Sequence, residues 1–89
     1  MPTIHLRIQG DVQGVFYRAS AKKIAEEIGV KGWIKNTANG NVEALVSASE
    51  DQLKQFKAWC SKGPAKALVT RLEETEQEEI SFAEFCIIR

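Results

Sequence analysis

The 89-residue sequence predicts an α+β fold in two layers. One layer is an antiparallel sheet, the other is two helices on one face of it, in the chain order βαββαβ with an additional C-terminal strand. Three observations carry this prediction. Residues 3–9 and 42–47 alternate apolar and polar side chains, the period of half-buried strands. Two other stretches, from about Tyr17 to Ile28 and from Ser49 towards Lys62, place apolar residues at helical spacing. Glycine, Asn-Gly and Gly-Pro signals separate these stretches, with no linker or low-complexity tract between them.

The elements follow in order. Ile4, Leu6 and Ile8 point to one face of the first strand, and His5, Arg7 and Gln9 to the other. Gly10 and Gly14 bracket a short loop, and Ala21, Ile24, Ala25 and Ile28 form the apolar stripe of the first helix. Gly29 is placed to end that helix in the left-handed conformation. Gly32 to Asn36 is a short strand, Thr37-Ala38-Asn39-Gly40 a tight turn, and Val42, Ala44 and Val46 mark the returning strand. Ser49 and Gln52 have capping-box spacing ahead of Leu53, Phe56 and Cys60, and Lys62-Gly63-Pro64 marks the end of that second helix. Ala67 to about Thr75 reads as a strand of poor alternation. Phe82 to Ile88 reads as the last strand, with Phe85 and Ile87 on one face. This order is that of a ferredoxin-like sandwich, a single domain over residues 1–89.

Composition narrows the chemistry. With 44% hydrophobic and 27% charged residues the chain has the make-up of a soluble globular domain. Twelve basic and twelve acidic side chains cancel, which argues against a dedicated nucleic-acid or membrane-surface binder. The charge is uneven: residues 1–66 carry +4 and residues 67–89 carry −4, with five glutamates between 73 and 79 that read as a solvated strand end and turn. No apolar run approaches a membrane span, and Met1 to Arg7 lacks the basic leader and apolar run of a secretory signal, so a cytoplasmic location is expected. Cys60 and Cys86 have no CxxC spacing and read as buried reduced thiols. One histidine and two distant cysteines make no zinc-ligand pattern, so no metal is expected. His5 lies opposite the apolar face of its strand and reads as a surface or edge histidine. Lys35 reads as an exposed strand lysine, Trp59 as helix packing, and Trp33 either lies near a site or packs on the sheet.

Two segments carry chemical information. Gly10-Asp11-Val12-Gln13-Gly14-Val15-Phe16-Tyr17-Arg18 joins a strand to the first turn of a helix. Successive backbone N–H groups in such a loop converge on an anion, and the helix start adds unpaired N–H groups. Gly14 lets the backbone bend and a ligand approach closely. Arg18 reaches back over the loop with a guanidinium suited to phosphate oxygens. The loop is neither a Walker A nor a GxGxxG sequence, and alone it reads as a strand-to-helix turn with a surface arginine. In the second segment, Gly32 to Glu43, Asn36 ends a strand before the hairpin. Its amide is able to orient a water without acting as a base, although alone it reads as a turn residue.

Together and in this order the two segments resemble the signatures of the acylphosphatase family, GDVQGVFYR (10–18) and GWIKNTANGNVE (32–43). Weaker likenesses lie in Lys62-Gly63-Pro64 with Ala67 and Val69, and in Phe85 and Ile87. The resemblance implies a ferredoxin-like fold and hydrolysis of the carboxyl-phosphate bond of acyl phosphates without metal or cofactor. It implies that Gln13, Gly14, Val15, Phe16, Tyr17 and Arg18 bind the phosphoryl oxygens, Arg18 as the phosphate-binding arginine, and that Asn36 positions the attacking water. Thr37 and Gly14 match positions that support this geometry. A small-molecule acyl phosphate is the implied substrate, inorganic phosphate the product and a competitive inhibitor, and the chain a monomer. Three departures stand out. Tyr17 replaces the more usual Phe, so its hydroxyl must find a partner. Ile34 is bulkier than usual. Ala48 stands where the second signature usually ends in Gly, which bears on the bend after the third strand.

Two rival readings have other features. A catalytically idle anion-binding module needs Arg18 but not Asn36. An RNA-recognition module shares the element order but stacks bases on aromatics of its central strands; here those strands offer His5, Arg7, Glu43 and Leu45.

Overall fold

The computed structural model describes residues 1–88. Its elements are β1 (Thr3–Asp11), α1 (Tyr17–Ile28), β2 (Lys31–Asn36), β3 (Val42–Ser47), α2 (Glu50–Cys60), β4 (Leu68–Gln77) and β5 (Phe85–Ile88). The five strands form one sheet in the order β4-β1-β3-β2-β5. The expected antiparallel pairing holds across β4, β1, β3 and β2, and β5 then adds parallel to β2, making the sheet mixed. The reason is connectivity. β4 fills the edge beside β1, so the chain returns across the molecule to the other edge, where Gly32 faces Phe85.

The alternation in β1 works as the sequence predicts. Ile4, Leu6 and Ile8 are buried, as are Ile34 of β2, Val42, Ala44 and Val46 of β3, and Phe85 of β5. Against them pack Tyr17, Ala21 and Ala25 of α1 and Leu53, Phe56 and Cys60 of α2 in one continuous core. Helix α1 ends at Gly29 (φ 100°), whose N–H donates to the Ala25 carbonyl. A side chain there would meet the Gln52 amide at 2.8 Å, so glycine serves both the turn and the contact. Helix α2 starts with the full capping box. Gln52 N–H donates to Ser49 Oγ, and Ser49 N–H donates to Gln52 Oε1. The same Gln52 side chain donates from Nε2 to the Ile28 carbonyl at 3.0 Å, joining the start of α2 to the end of α1.

Several boundaries differ from expectation. Helix α2 stops at Cys60, with Ser61 as its C-cap. The Gly63 N–H donates back to the Trp59 carbonyl, so Gly63 seals the turn rather than continuing the helix. β4 runs on to Gln77, so Glu73, Glu74 and Glu76 lie in its last, largely exposed part and Glu78 and Glu79 follow it, as the reading of a solvated strand end and turn expects. There they find cations: Glu73 accepts from Arg71 at 3.2 Å and Glu74 from Lys57 at 2.7 Å. The poor alternation of β4 is that of an edge strand with little side-chain burial. β5 starts at Phe85, because the ladder to β2 begins there.

Cys60 is buried as expected, but Cys86 is exposed: it alternates with buried Phe85 and so points to the open face of the sheet. Trp33 lies on that open face too, with the Lys35 ammonium 5.2 Å from its ring. Ile34 fits the core fully buried. Ala48 is also buried and does not adopt a positive φ, so the bend after β3 requires no glycine. The Tyr17 hydroxyl finds its partner inside the protein, donating to the Cys60 carbonyl at 2.7 Å. Burial pushes its ionisation far above the usual tyrosine range and raises the Cys60 thiol to about 12. On the open face, Glu43 binds both Lys35 and His5 at 3.2 Å. Partial burial acts to raise the Glu43 pKa, but the hydrogen bonds from Lys35 and His5 outweigh it and hold the carboxyl below its ordinary value.

Two outcomes follow from these contacts. Tyr17→Phe strands a buried helix-terminal carbonyl and should cost about 1–3 kcal/mol, read as a lower urea midpoint at unchanged slope; an unchanged midpoint would contradict the bond. Glu43 is more acidic folded than unfolded, so its contribution is complete above the unfolded value of about 4.3 and is lost as pH falls through the lower folded value. The stability gap between the wild type and Glu43→Gln should therefore hold above about pH 4.3 and shrink as the pH falls below it. A gap that stays constant would mean that the carboxylate charge contributes nothing.

Candidate active site

The loop between β1 and α1 takes its shape from two left-handed residues. Gly14 sits at φ 73° with nothing within 4 Å of where a side chain would be, so its face is open to a ligand. Phe16 follows at φ 63° and ψ 25° as the N-cap of α1. It provides no side-chain cap, and the first turn of α1 holds no acidic residue. The first intrahelical bond runs from Ser20 N–H to the Phe16 carbonyl, so the N–H groups of Tyr17, Arg18 and Ala19 have no helical acceptor. Unpaired donors, the positive end of the helix dipole and the absence of a local carboxylate make this an anion-receptive terminus.

A pocket of about 250 Å³ opens over it, lined by Val12, Gly14, Phe16, Tyr17, Arg18, Ala19, Asn36 and Ile87. That is below the roughly 300–1,000 Å³ of clefts for drug-sized ligands and suits a small substrate. Three elements meet here: the β1–α1 loop with the start of α1, the end of β2, and β5. Arg18 lies in the first turn of α1. Its Nη1 reaches the Ile88 carbonyl at 3.5 Å, the long limit of a hydrogen bond, and no carboxylate of the described residues pairs with it. Asn36 ends β2 on the helix-facing side, in register with buried Ile34. Its Oδ1 is buried and has no hydrogen-bond partner among the described residues.

Of the residues the sequence singles out, Gly14, Phe16, Tyr17, Arg18 and Asn36 share this pocket. Val15 sits in the loop and packs against the core. Gln13 faces away from the pocket: its Nε2 donates to the Thr37 carbonyl at 2.9 Å and to the Asn41 carbonyl at 2.7 Å. Those two bonds tie the loop to the β2–β3 hairpin. Thr37 shapes the hairpin, with its N–H donating to the Asn41 carbonyl and its Oγ1 accepting from Asn41 N–H and contacting Asn39. Ile87 is a lining residue that motif reasoning misses, although the alternation of β5 puts it on the helix-facing side. The Gln13 tie has no local signal at all, since its partners lie 24 and 28 residues away.

A larger cleft of about 530 Å³ lies between α2 and β4. Its charged walls mix signs, with Glu50, Glu74 and Glu76 facing Lys54 and Lys57, and Lys57 is already bound to Glu74. It has no convergent donors and does not compete as the functional site. Among the described residues no group of three His, Cys, Asp or Glu side chains is arranged to hold a metal ion, and no helix is long and apolar enough to cross a membrane.

Comparison with known proteins identifies the family of the chain. The family model described as Acylphosphatase matches residues 4–87. An acylphosphatase of Thiobacillus denitrificans is 44% identical over 84 residues, covering 92% of this chain and 94% of its own. One of Methylococcus capsulatus is 39% identical, covering 100% of this chain and 98% of its own. The crystal structure of acylphosphatase from Bacillus subtilis superposes with a TM-score of 0.96 at 29% identity, with each chain fully covered. With a family model spanning nearly its whole length and relatives above 30% identity that cover 92% and 100% of it, the chain belongs to the acylphosphatase family of enzymes.

Proposed function

We propose that the protein hydrolyses the carboxyl-phosphate bond of small acyl phosphates by direct attack of water on phosphorus, with the phosphoryl group held in the β1–α1 loop. The observation that carries this reading is the meeting of Arg18, the uncapped start of α1 and an unpartnered Asn36 Oδ1 in one small pocket. The backbone N–H groups of the loop from Gln13 to Arg18 are the donors for the phosphoryl oxygens, and the Arg18 guanidinium supplies the opposite charge. Asn36 accepts from the attacking water and orients it. Gln13 and Thr37 act at one remove, by holding the hairpin that carries Asn36 against the loop.

The chemistry makes modest demands. The water oxygen forms a bond to phosphorus, and the bond from phosphorus to the acyl oxygen breaks, its electron pair leaving with the carboxylate. The proton of the water passes to a phosphoryl oxygen, giving dihydrogen phosphate. A carboxylate is a stable leaving group, so no general acid is needed, and a loose transition state needs little help from a base. What the site must supply is in-line placement of water and stabilisation of charge on the equatorial oxygens. This route makes no call on a metal or a histidine. His5 is engaged with Glu43 on the open face of the sheet, away from the pocket lining. Inorganic phosphate, matching the bound group, acts as a competitive inhibitor. The reading extends to a cytoplasmic monomer acting on a free small molecule, with no nucleic-acid or membrane partner.

Purified protein should hydrolyse benzoyl phosphate with EDTA present at the rate seen without it; activity that EDTA abolishes would overturn the metal-free route. Arg18→Ala should weaken inhibition by phosphate and reduce turnover by about 10²-fold or more. Asn36→Ala should lower kcat by a similar factor while phosphate inhibition stays within about threefold of wild type. If both variants lose phosphate affinity and turnover in parallel, Asn36 is a structural residue and not the one that orients water.

A further inference from the structure

Phe16 is in a position that local physics does not favour for a phenylalanine. All six glycines of the chain occupy positive φ, and Phe16 is the one other residue of the described chain that does. A non-glycine residue in the left-handed region carries a steric cost that glycine avoids. Phe16 is also 80% exposed, whereas Phe56 and Phe85 are buried in the core. As the N-cap of α1 it forgoes the capping bond that Ser, Thr, Asp or Asn would make. An anion site explains why no carboxylate caps this helix, but a glycine would satisfy that requirement at less cost. The aromatic ring therefore needs a separate reason, and the step from an observed outlier to a role is the sound direction of inference.

The ring borders the pocket, and Ile87 of β5 lines it as well. Asn36 Oδ1 is buried, so it belongs to the pocket floor, whereas the exposure of Phe16 places it at the mouth. In-line displacement sets the leaving group opposite the attacking water. With water at the floor, the acyl group must project towards the mouth. We infer that Phe16, with Ile87, forms an apolar lip that binds the acyl portion of the substrate and selects acyl phosphates with an aromatic or extended aliphatic body over acetyl or carbamoyl phosphate. This rests on the reading of the pocket as an acyl-phosphate site and adds its substrate class. Burial of an apolar acyl body against the ring lends binding energy that a methyl group cannot supply.

The test compares kcat/KM for benzoyl phosphate and acetyl phosphate in the wild type, Phe16→Gly, Phe16→Tyr and Ile87→Ser. The ratio between substrates cancels any uniform damage to the loop. The wild type should favour benzoyl phosphate, and Phe16→Gly should lower that preference roughly fivefold to tenfold, mainly through a higher KM for benzoyl phosphate. Phe16→Tyr keeps the ring and should hold the ratio within about twofold, and Ile87→Ser should lower it in the same direction as Phe16→Gly. Phe16→Gly should also match or exceed the wild-type denaturation midpoint, because it relieves the left-handed strain. An unchanged ratio in Phe16→Gly, an equal fall in Phe16→Tyr, or a lower midpoint in Phe16→Gly would each overturn the lip while leaving acyl phosphate hydrolysis standing. A wild type that hydrolyses neither substrate would overturn the reading of the site itself.

Discussion

The side-chain amide of Gln13 is the joint on which the site depends. Two sequence segments that are separate in the chain, the β1–α1 loop and the β2–β3 hairpin, are held together by its bonds to the Thr37 and Asn41 carbonyls at 2.9 and 2.7 Å. One side contributes the left-handed loop and Arg18, the other Asn36. A side chain that uses both its donors on backbone acceptors of a neighbouring turn crosslinks the two segments at two points, which fixes the orientation of one against the other. The proposed positioning of water relative to phosphorus rests on this distance being held, since catalysis by placement is sensitive to displacements of an ångström.

The rest of the fold serves that joint. The start of α1 is anchored from below by Tyr17, whose hydroxyl bonds the Cys60 carbonyl at the end of α2 and whose ring lies 5.4 Å from that of Trp59. The other end of α1 is held by Gln52, the same residue that completes the capping box of α2. Fixed at both ends against a sheet, the helix presents its first-turn N–H groups in a constant direction. β5 then closes the side of the pocket from the edge of the sheet, with Ile87, paired to Ile34 of β2, lining it together with Asn36. The additional strand thus contributes to the pocket wall as well as to the sheet.

Much of this was legible in the sequence where local physics dominates. Apolar spacing and Gly29 bounded α1 at Tyr17 and Ile28, and the Ser49–Gln52 pair located the start of α2, because periodicity and capping are properties of neighbouring residues. The loop and hairpin motifs pointed to Arg18 and Asn36, which the structure brings into one pocket. Legibility failed where tertiary context decides. The poor alternation of β4 left its end short, at about Thr75 where the strand runs from Leu68 to Gln77, since an edge position relaxes the demand for burial. Cysteine's usual preference for the interior argued for a buried Cys86, but the pleat of β5 overrode it by burying Phe85. The left-handed Phe16 gave no sign of itself, because nothing in a phenylalanine announces positive φ.

The neutral net charge is a balance between a basic body that holds the loop and an acidic β4 whose glutamates pair with Arg71 and Lys57. The central claim is that a phosphoryl group sits on the backbone of residues 13–18. The most direct measurement is a titration of the ¹⁵N-labelled protein with inorganic phosphate, following every backbone amide by NMR. The account predicts saturable shifts concentrated at Gly14 to Ala19, with Asn36 among the responding residues. Shifts centred instead on the cleft between α2 and β4, or spread without saturation over the basic surface, would contradict it.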